Sequence, residues 1–168
     1  GWPRYEPRMS PTGVAGELVP ARFDTLLAWA LEGLARERTV FGYPRRSIWT
    51  GGTHDLSVPV PGGRAATPLG VAAGPHTQMA HNLVVSWLAG ARVLELKTVQ
   101  VLDRLELPRP CIDAPDEGYN VEWSQELKLE ESLEQYVAAW ALVHALAPRV
   151  LGREAAAAAL AGTRFDAS

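Results

Sequence analysis

The 168-residue chain contains one cysteine, Cys111. A single thiol closes no disulfide within the chain and supplies no Cys-based zinc or iron–sulfur site. Histidine is nearly as scarce, with four residues and no H-x3-H spacing, so no metal site is expected. Positive charge is not in excess: 16 Lys+Arg face 19 Asp+Glu, for a net charge of −3. Binding to nucleic acid needs a clustered basic face, and the basic clusters here are short, Arg36/Arg38 and Arg45/Arg46. No apolar run reaches the ~18 residues of a membrane span, and the N-terminus has no signal-peptide pattern. The expectation is a soluble cytoplasmic protein with no nucleic-acid or membrane partner. Hydrophobic residues make up 47% of the chain, enough for one sizeable core.

Residues 1–20 hold four prolines and three glycines without periodicity and read as an irregular arm. Residues 21–50 read as an N-terminal helix and loop. The helix, 21–38, places Phe23, Leu26, Leu27, Ala30, Leu31 and Leu34 on one stripe, and Phe41-Gly-Tyr-Pro44 breaks it. From residue 51 the pattern changes. Leu56–Val60 and Arg64–Thr67 flank Pro61-Gly-Gly63, a hairpin signature. A short small-residue strand, 69–74, precedes a helix over 77–89 that Gly90 stops. An alternating strand over 92–98, a long loop and a second alternating strand over 118–123 follow. A long helix over 129–147 carries Leu133, Tyr136, Val137, Trp140, Val143, His144 and Ala147 inward, and Pro148 ends it. Residues 155–160 form helix strongly, and 163–168 resemble the start of a strand. Alternating strand and helix imply a parallel sheet. A complete (β/α)8 barrel needs about 250 residues, so residues 51–168 read as the first part of such a barrel, incomplete. The strands at 69–73, 92–97 and 119–123 are expected to lie parallel and adjacent in that order.

In parallel α/β folds ligands meet the C-terminal ends of strands. The first end is Ala72-Ala73-Gly74, small enough for a flat ring to lie against the backbone, or simply for tight packing. At the second, Glu95-Leu-Lys97-Thr98, alternation places Glu95 and Lys97 on one face. Lys97 is then either an interior cation poised to stabilise negative charge or half of a solvated pair with Glu95. At the third, Asn120 and Glu122 share a face and suit the donor and acceptor edge of a heterocycle, or a plain polar strand face.

The stretches PLGVAAGPHTQ, LELKTVQ and GYNVEWS, in this order, closely resemble the N-terminal part of the selenate reductase family. Those are large flavin and iron–sulfur oxidoreductases, related more widely to the FMN barrels of dihydropyrimidine and dihydroorotate dehydrogenases. The resemblance implies the N-terminal half of a (β/α)8 TIM-type FMN barrel, preceded by a helix and a β-hairpin that plugs the barrel bottom. It implies FMN as cofactor, touched by the backbone of Ala72, Ala73 and Gly74 and by Lys97 and Thr98. Asn120 and Glu122 match a pair near the substrate in the pyrimidine enzymes. The implied reaction is hydride transfer between FMN and a purine- or pyrimidine-type nitrogen heterocycle. Iron–sulfur clusters and FAD belong to other segments of the longer parent protein. So do the catalytic acid or base and the FMN phosphate site, and the chain alone is expected to be inactive. The implied partners are a small heterocyclic substrate, the remaining barrel and redox segments of the parent, and a second copy through self-association. The other reading is a non-catalytic α/β scaffold or interaction domain without flavin.

Two departures from the pyrimidine enzymes stand out. Glu95 sets a carboxylate beside the lysine, and His76 and His81 follow the first strand. His76 reads as a ligand neighbour or a helix cap, His81 and Asn82 as a solvated helix face, His54 as a loop residue and His144 as a core histidine. Asp103, Arg104 and Glu106 read as a surface loop, and Cys111 as an incidental thiol. Trp87, Trp123 and Trp140 are expected between helix and sheet.

Overall fold

The computed structural model describes residues 19–101 and 127–166. Helix α1, Phe23–Glu32, continues into a wider π-type turn, Gly33–Glu37. It buries Leu26 and Ala30, whereas Phe23 and Leu31 stay exposed, so its inward stripe is narrower than the apolar spacing suggests. Gly33 is required here because a Cβ would meet the Thr39 carbonyl oxygen at 2.9 Å. The breaker is itself a small hairpin, β1 (Thr39–Val40) against β2 (Tyr43–Pro44), turning through Phe41 and Gly42 at φ 49° and 78°. Left-handed backbone is costly for Phe. Its ring packs edge-on against Trp29, with centroids 5.0 Å apart.

The second hairpin falls where its Pro-Gly-Gly turn predicts, β3 (Val58–Val60) antiparallel to β4 (Gly63–Ala65). Three parallel strands follow: β5 (Gly70–Val71), β6 (Val93–Glu95) and β7 (Arg164–Asp166), in the order β5-β6-β7. They are shorter than their alternating sequences. One expectation is corrected: the place beside β6 assigned to 119–123 is held by β7. Residues 119–123 lie outside the described residues. With both flanks of β6 taken, a strand from elsewhere cannot pair with it.

Val71, Leu94 and Phe165 share a register row and turn to the helices, and Leu94 is fully buried. Helix α2, Ala80–Leu88, buries Ala80, Leu83, Val84, Trp87 and Leu88 against this row. Helix α3, Leu129–Leu151, packs on α2, and α4, Arg153–Ala161, packs on α3 and leads into β7. The hairpin closes the opposite, N-terminal end of the strands, with Ala66 N–H donating to Gly162 C=O at 2.9 Å. Leu26, Ala30, Val40 and Ile48 join the same core, so the N-terminal helix and the barrel portion share one interior.

Helix α3 departs most from expectation. It buries Ser132, Gln135, Ala138, Ala139, Leu142, Val143, Leu146 and Ala147, and it exposes Leu133, Val137 and Trp140. His144 is exposed rather than in the core, its ring 4.3 Å from Trp140 and its Nδ1 2.9 Å from the Trp140 carbonyl. Pro148 does not end the helix, which runs to Leu151 and stops at Gly152 with φ 83°. Proline deprives the His144 carbonyl of its helical donor. Both residues are exposed.

Arg92, at the foot of β6, is 1% exposed. Its guanidinium lies between the rings of Trp49 and Trp87, 5.1 and 4.5 Å from their centroids. Nη1 donates to the Trp87 and Ala91 carbonyls at 2.8 and 2.7 Å. Burial pushes its pKa down to about 10, so it stays charged at neutral pH. A planar, weakly hydrated cation tolerates this slot, and a compact ammonium does not. Arg92→Lys is expected to cost about 3 kcal/mol in denaturant unfolding. Arg92→Met keeps the stem and removes the buried charge, and is expected to cost about 1 kcal/mol. Equal losses would show that the two ring faces do not select for arginine.

Candidate functional site at the strand ends

Register brings the C-terminal ends of the three strands together. The main-chain pairing of β5 with β6 reaches Val71↔Leu94. Beyond it a side chain takes over: the Glu95 carboxylate accepts from the Ala73 N–H at 2.7 Å. The carbonyl of Ala72 accepts from the Thr77 hydroxyl at 2.8 Å, and the same hydroxyl lies 3.3 Å from the Gly74 carbonyl. Two polar backbone groups at the tip of β5 are therefore satisfied within the protein, and Ala72 is left exposed with only a methyl group. The alternation argument holds as far as Glu95, opposite in facing to the buried Leu94.

Lys97 and Thr98 follow the end of β6. The Lys97 N–H donates to the Tyr136 hydroxyl at 2.9 Å, and that hydroxyl lies 3.3 Å from the Lys97 carbonyl. Tyr136 on α3 thus fixes the loop that carries the lysine. Sequence spacing read Tyr136 only as an inward-facing residue. Its hydroxyl was the missed signal, since a half-buried phenol on a helix needs a polar partner. Thr77 and Glu95 were missed as braces because each joins residues brought together only by the turn or by the strand pairing.

Buried polar groups hold α2 and α3 together behind the site. Gln135 accepts from the Ala80 N–H at 3.0 Å and donates to the Ala21 carbonyl at 3.1 Å. This fixes the N-terminus of α2 and the entry to α1 on the helix that also holds Lys97. Asn120, Glu122, Cys111, Asp103, Arg104, Glu106 and Trp123 lie outside the described residues. His76 is exposed, with its carbonyl receiving the Asn82 side-chain amide at 2.7 Å, and His54 is exposed in its loop. Trp87 is buried between helix and sheet as expected, whereas Trp140 is 43% exposed. Among the described residues no group of three His, Cys, Asp or Glu could hold a metal ion, and no helix is long and apolar enough to cross a membrane.

Residues 41–167 match the family model described as "Oxidoreductase YgfK, N-terminal TIM-barrel domain". The chain belongs to this family. The fold is accordingly α/β, the first part of a TIM-type barrel preceded by a helix and a hairpin. Two similar relatives are the proteins named "Putative oxidoreductase YgfK" from Escherichia coli strain K12 and from Escherichia coli O157:H7. Each is 47% identical over 127 residues, which cover 76% of this chain and 12% of the relative. The chain thus spans about an eighth of the length of the curated relatives it matches. No solved structure matches it.

The fold opposes protonation of His81. Its ring lies 6.1 Å from those of Trp29 and Phe41, and burial pushes its pKa below the ordinary 6.5. The helix face read as solvated is therefore partly covered at this position. An unfolded chain binds this proton more readily than the folded one, so stability is full above pH 6.5 and falls as the pH drops below it. His81→Gln is expected to flatten this part of the stability–pH curve. A curve between pH 5 and 7 unchanged from wild type would show that His81 contributes nothing there.

Proposed function

We propose that the strand ends of this domain form part of the FMN site of a flavin-dependent oxidoreductase. The supporting observation is the tip of β5. It is exposed and no larger than a methyl group, its Ala73 N–H and Ala72 carbonyl are already satisfied, and it stands beside the anchored Lys97 loop. These residues fit a flat ring through van der Waals contact rather than through main-chain hydrogen bonds at the Ala72–Ala73 peptide. Ala72, Ala73 and Gly74 would form the floor, with Lys97 and Thr98 at the rim. Asn120 and Glu122 would orient the substrate.

Bound FMN would supply hydride transfer to or from a purine- or pyrimidine-type heterocycle. The protein's part is to hold the ring and set its charge balance. Lys97 would favour the anionic reduced form. Glu95 offsets part of that cation and holds the β5 tip in place. Iron–sulfur clusters and FAD, where the parent protein carries them, would lie on its other segments. A flavin-free scaffold domain is the competing reading.

The test uses a chain extended to the full barrel. The purified protein is expected to be yellow with a flavin absorption spectrum. Lys97→Met is expected to lower the flavin potential by about 30 mV, which corresponds to about 1.4 kcal/mol in a two-electron couple. Glu95→Gln retains an acceptor for Ala73 N–H and removes the charge, so it is expected to raise the potential. Colourless protein, or no shift in either variant, would remove the flavin reading.

A further inference from the structure

The two short basic clusters of the sequence, Arg36/Arg38 and Arg45/Arg46, become neighbours in the fold. The β1–β2 hairpin pairs Thr39 with Pro44, so the next cross-strand pair outward is Arg38 opposite Arg45. The Arg45 N–H donates to the Arg38 carbonyl at 2.8 Å and extends the pairing to these two residues. Like charges set directly opposite each other destabilise an antiparallel pair. Arg38 also holds left-handed backbone, at φ 56° and ψ 40°, which adds to that cost. Arg46 follows on the short helical turn Arg45–Ser47.

The protein supplies these three cations with no counter-charge among the described residues. The ion pairs there are Arg22–Asp24 and Arg36–Glu32. The sequence from residue 38 to residue 54 contains no Asp or Glu. Arg45 uses one donor on the Arg149 carbonyl, at 3.4 Å, and the side chains of Arg38 and Arg46 donate to no described residue. Arg38, Arg45 and Arg46 line a cleft of about 380 Å³ together with Thr39 and with one carboxylate, Glu37. Guanidinium forks match phosphate oxygens two at a time. The volume suits a small molecule. A peptide needs a sheet edge or a long groove for its backbone, and β1 and β2 are two residues each.

We infer that Arg38, Arg45 and Arg46 form a binding site for a small phosphate-bearing molecule, a phosphomonoester or diphosphate. The bound anion would relieve the repulsion across the hairpin, and Glu37 would accept from a hydroxyl of the same ligand. The site is separate from the strand ends that carry Ala72 and Lys97. Arg45 reaches the last turn of α3, and Trp49 N–H donates to Leu88 C=O at the end of α2, so the cleft lies toward the foot of the strands. Chemistry in barrels of this type occupies the opposite face. The ligand would therefore act on the stability of the N-terminal helix and hairpin, and the inference stands apart from the flavin reading.

The experiment is a calorimetric titration of the 168-residue chain with pyrophosphate and, separately, with tetraglutamate. Pyrophosphate is expected to bind with a Kd below about 1 mM and to raise the thermal midpoint as its concentration rises. The double substitution Arg38→Gln, Arg46→Gln is expected to weaken binding at least about tenfold, and Arg46→Gln alone about threefold. Both leave the unliganded midpoint at or above that of wild type, because they remove like charge. Arg153→Gln, at an exposed arginine outside the cleft, is expected to change the affinity by less than about twofold. A Kd above about 1 mM overturns the inference, and so does an equal loss in the Arg153 and Arg46 variants. Tetraglutamate binding more tightly than pyrophosphate assigns the cleft to an acidic peptide and overturns it too.

Discussion

A buried cation without a carboxylate partner among the described residues holds this fold at its base. Arg92 ends the turn after α2 and opens β6, and its guanidinium fills the slot between Trp49 and Trp87. Taking an arginine out of water is costly. The Trp87 carbonyl in the last turn of α2, the Ala91 carbonyl in the turn after it, and two aromatic faces offset that cost. Each of these partners is fixed in turn. The Trp87 indole donates to Thr163, whose hydroxyl donates to the Ala159 carbonyl, so the end of α4 is tied to α2. Trp49 N–H donates to Leu88 C=O, and Thr67 donates to Gly90 C=O. Gly90 itself approaches the Trp49 ring so closely that a Cβ would lie 3.2 Å from it, at a φ of 112° that favours glycine. The start of β6, the end of α2, the entry to β5 and the entry to β7 therefore share one cluster.

The opposite ends of the strands depend on that base for their register. Because β5 and β6 are held one residue pair at a time from Gly70↔Val93 upward, Glu95 arrives beside the Ala73 amide. A slip by one residue would turn Glu95 toward the helices and Leu94 toward the open face. The carboxylate is thus a consequence of register as much as of residue type. Tyr136 plays the matching part from the helix layer, so the Lys97 loop is positioned by α3 and the β5 tip by β6.

The strand ends were legible in the sequence because period-2 alternation and small residues are local properties. Leu94 inward and Glu95 outward follow from them, and so does the hairpin from its Pro-Gly-Gly turn. The order of strands was not legible. The alternation in GYNVEW reads like a strand, and nothing local reveals that TRFD takes the place beside β6. The inward face of α3 was misread for a different reason. The helix is apolar on two adjacent sides, and a single stripe drawn through Leu133, Val137 and Trp140 is as regular as the one actually buried. Ala138 and Ala139 hid the true interface, since small residues pack helices closely while adding little to a hydrophobic pattern. Pro148 was overweighted because a proline in the last turn costs the helix a single hydrogen bond, and the helix runs only to Leu151.

The two parallel pairings of β6 differ greatly in chain separation. Gly70 and Val93 are roughly 20 residues apart, whereas Val93 and Arg164 are about 70 apart. Closing the longer loop costs about 1 kcal/mol more in chain entropy. The β5–α2–β6 unit is therefore the natural nucleus, complete while a ribosome is still making α3. The third of these strands is added to an edge of β6 already formed, and Phe165 completes the row begun by Val71 and Leu94. Synthesis from the N-terminus thus imposes an assembly order on the barrel, in which each new strand meets an edge that its predecessors have already set.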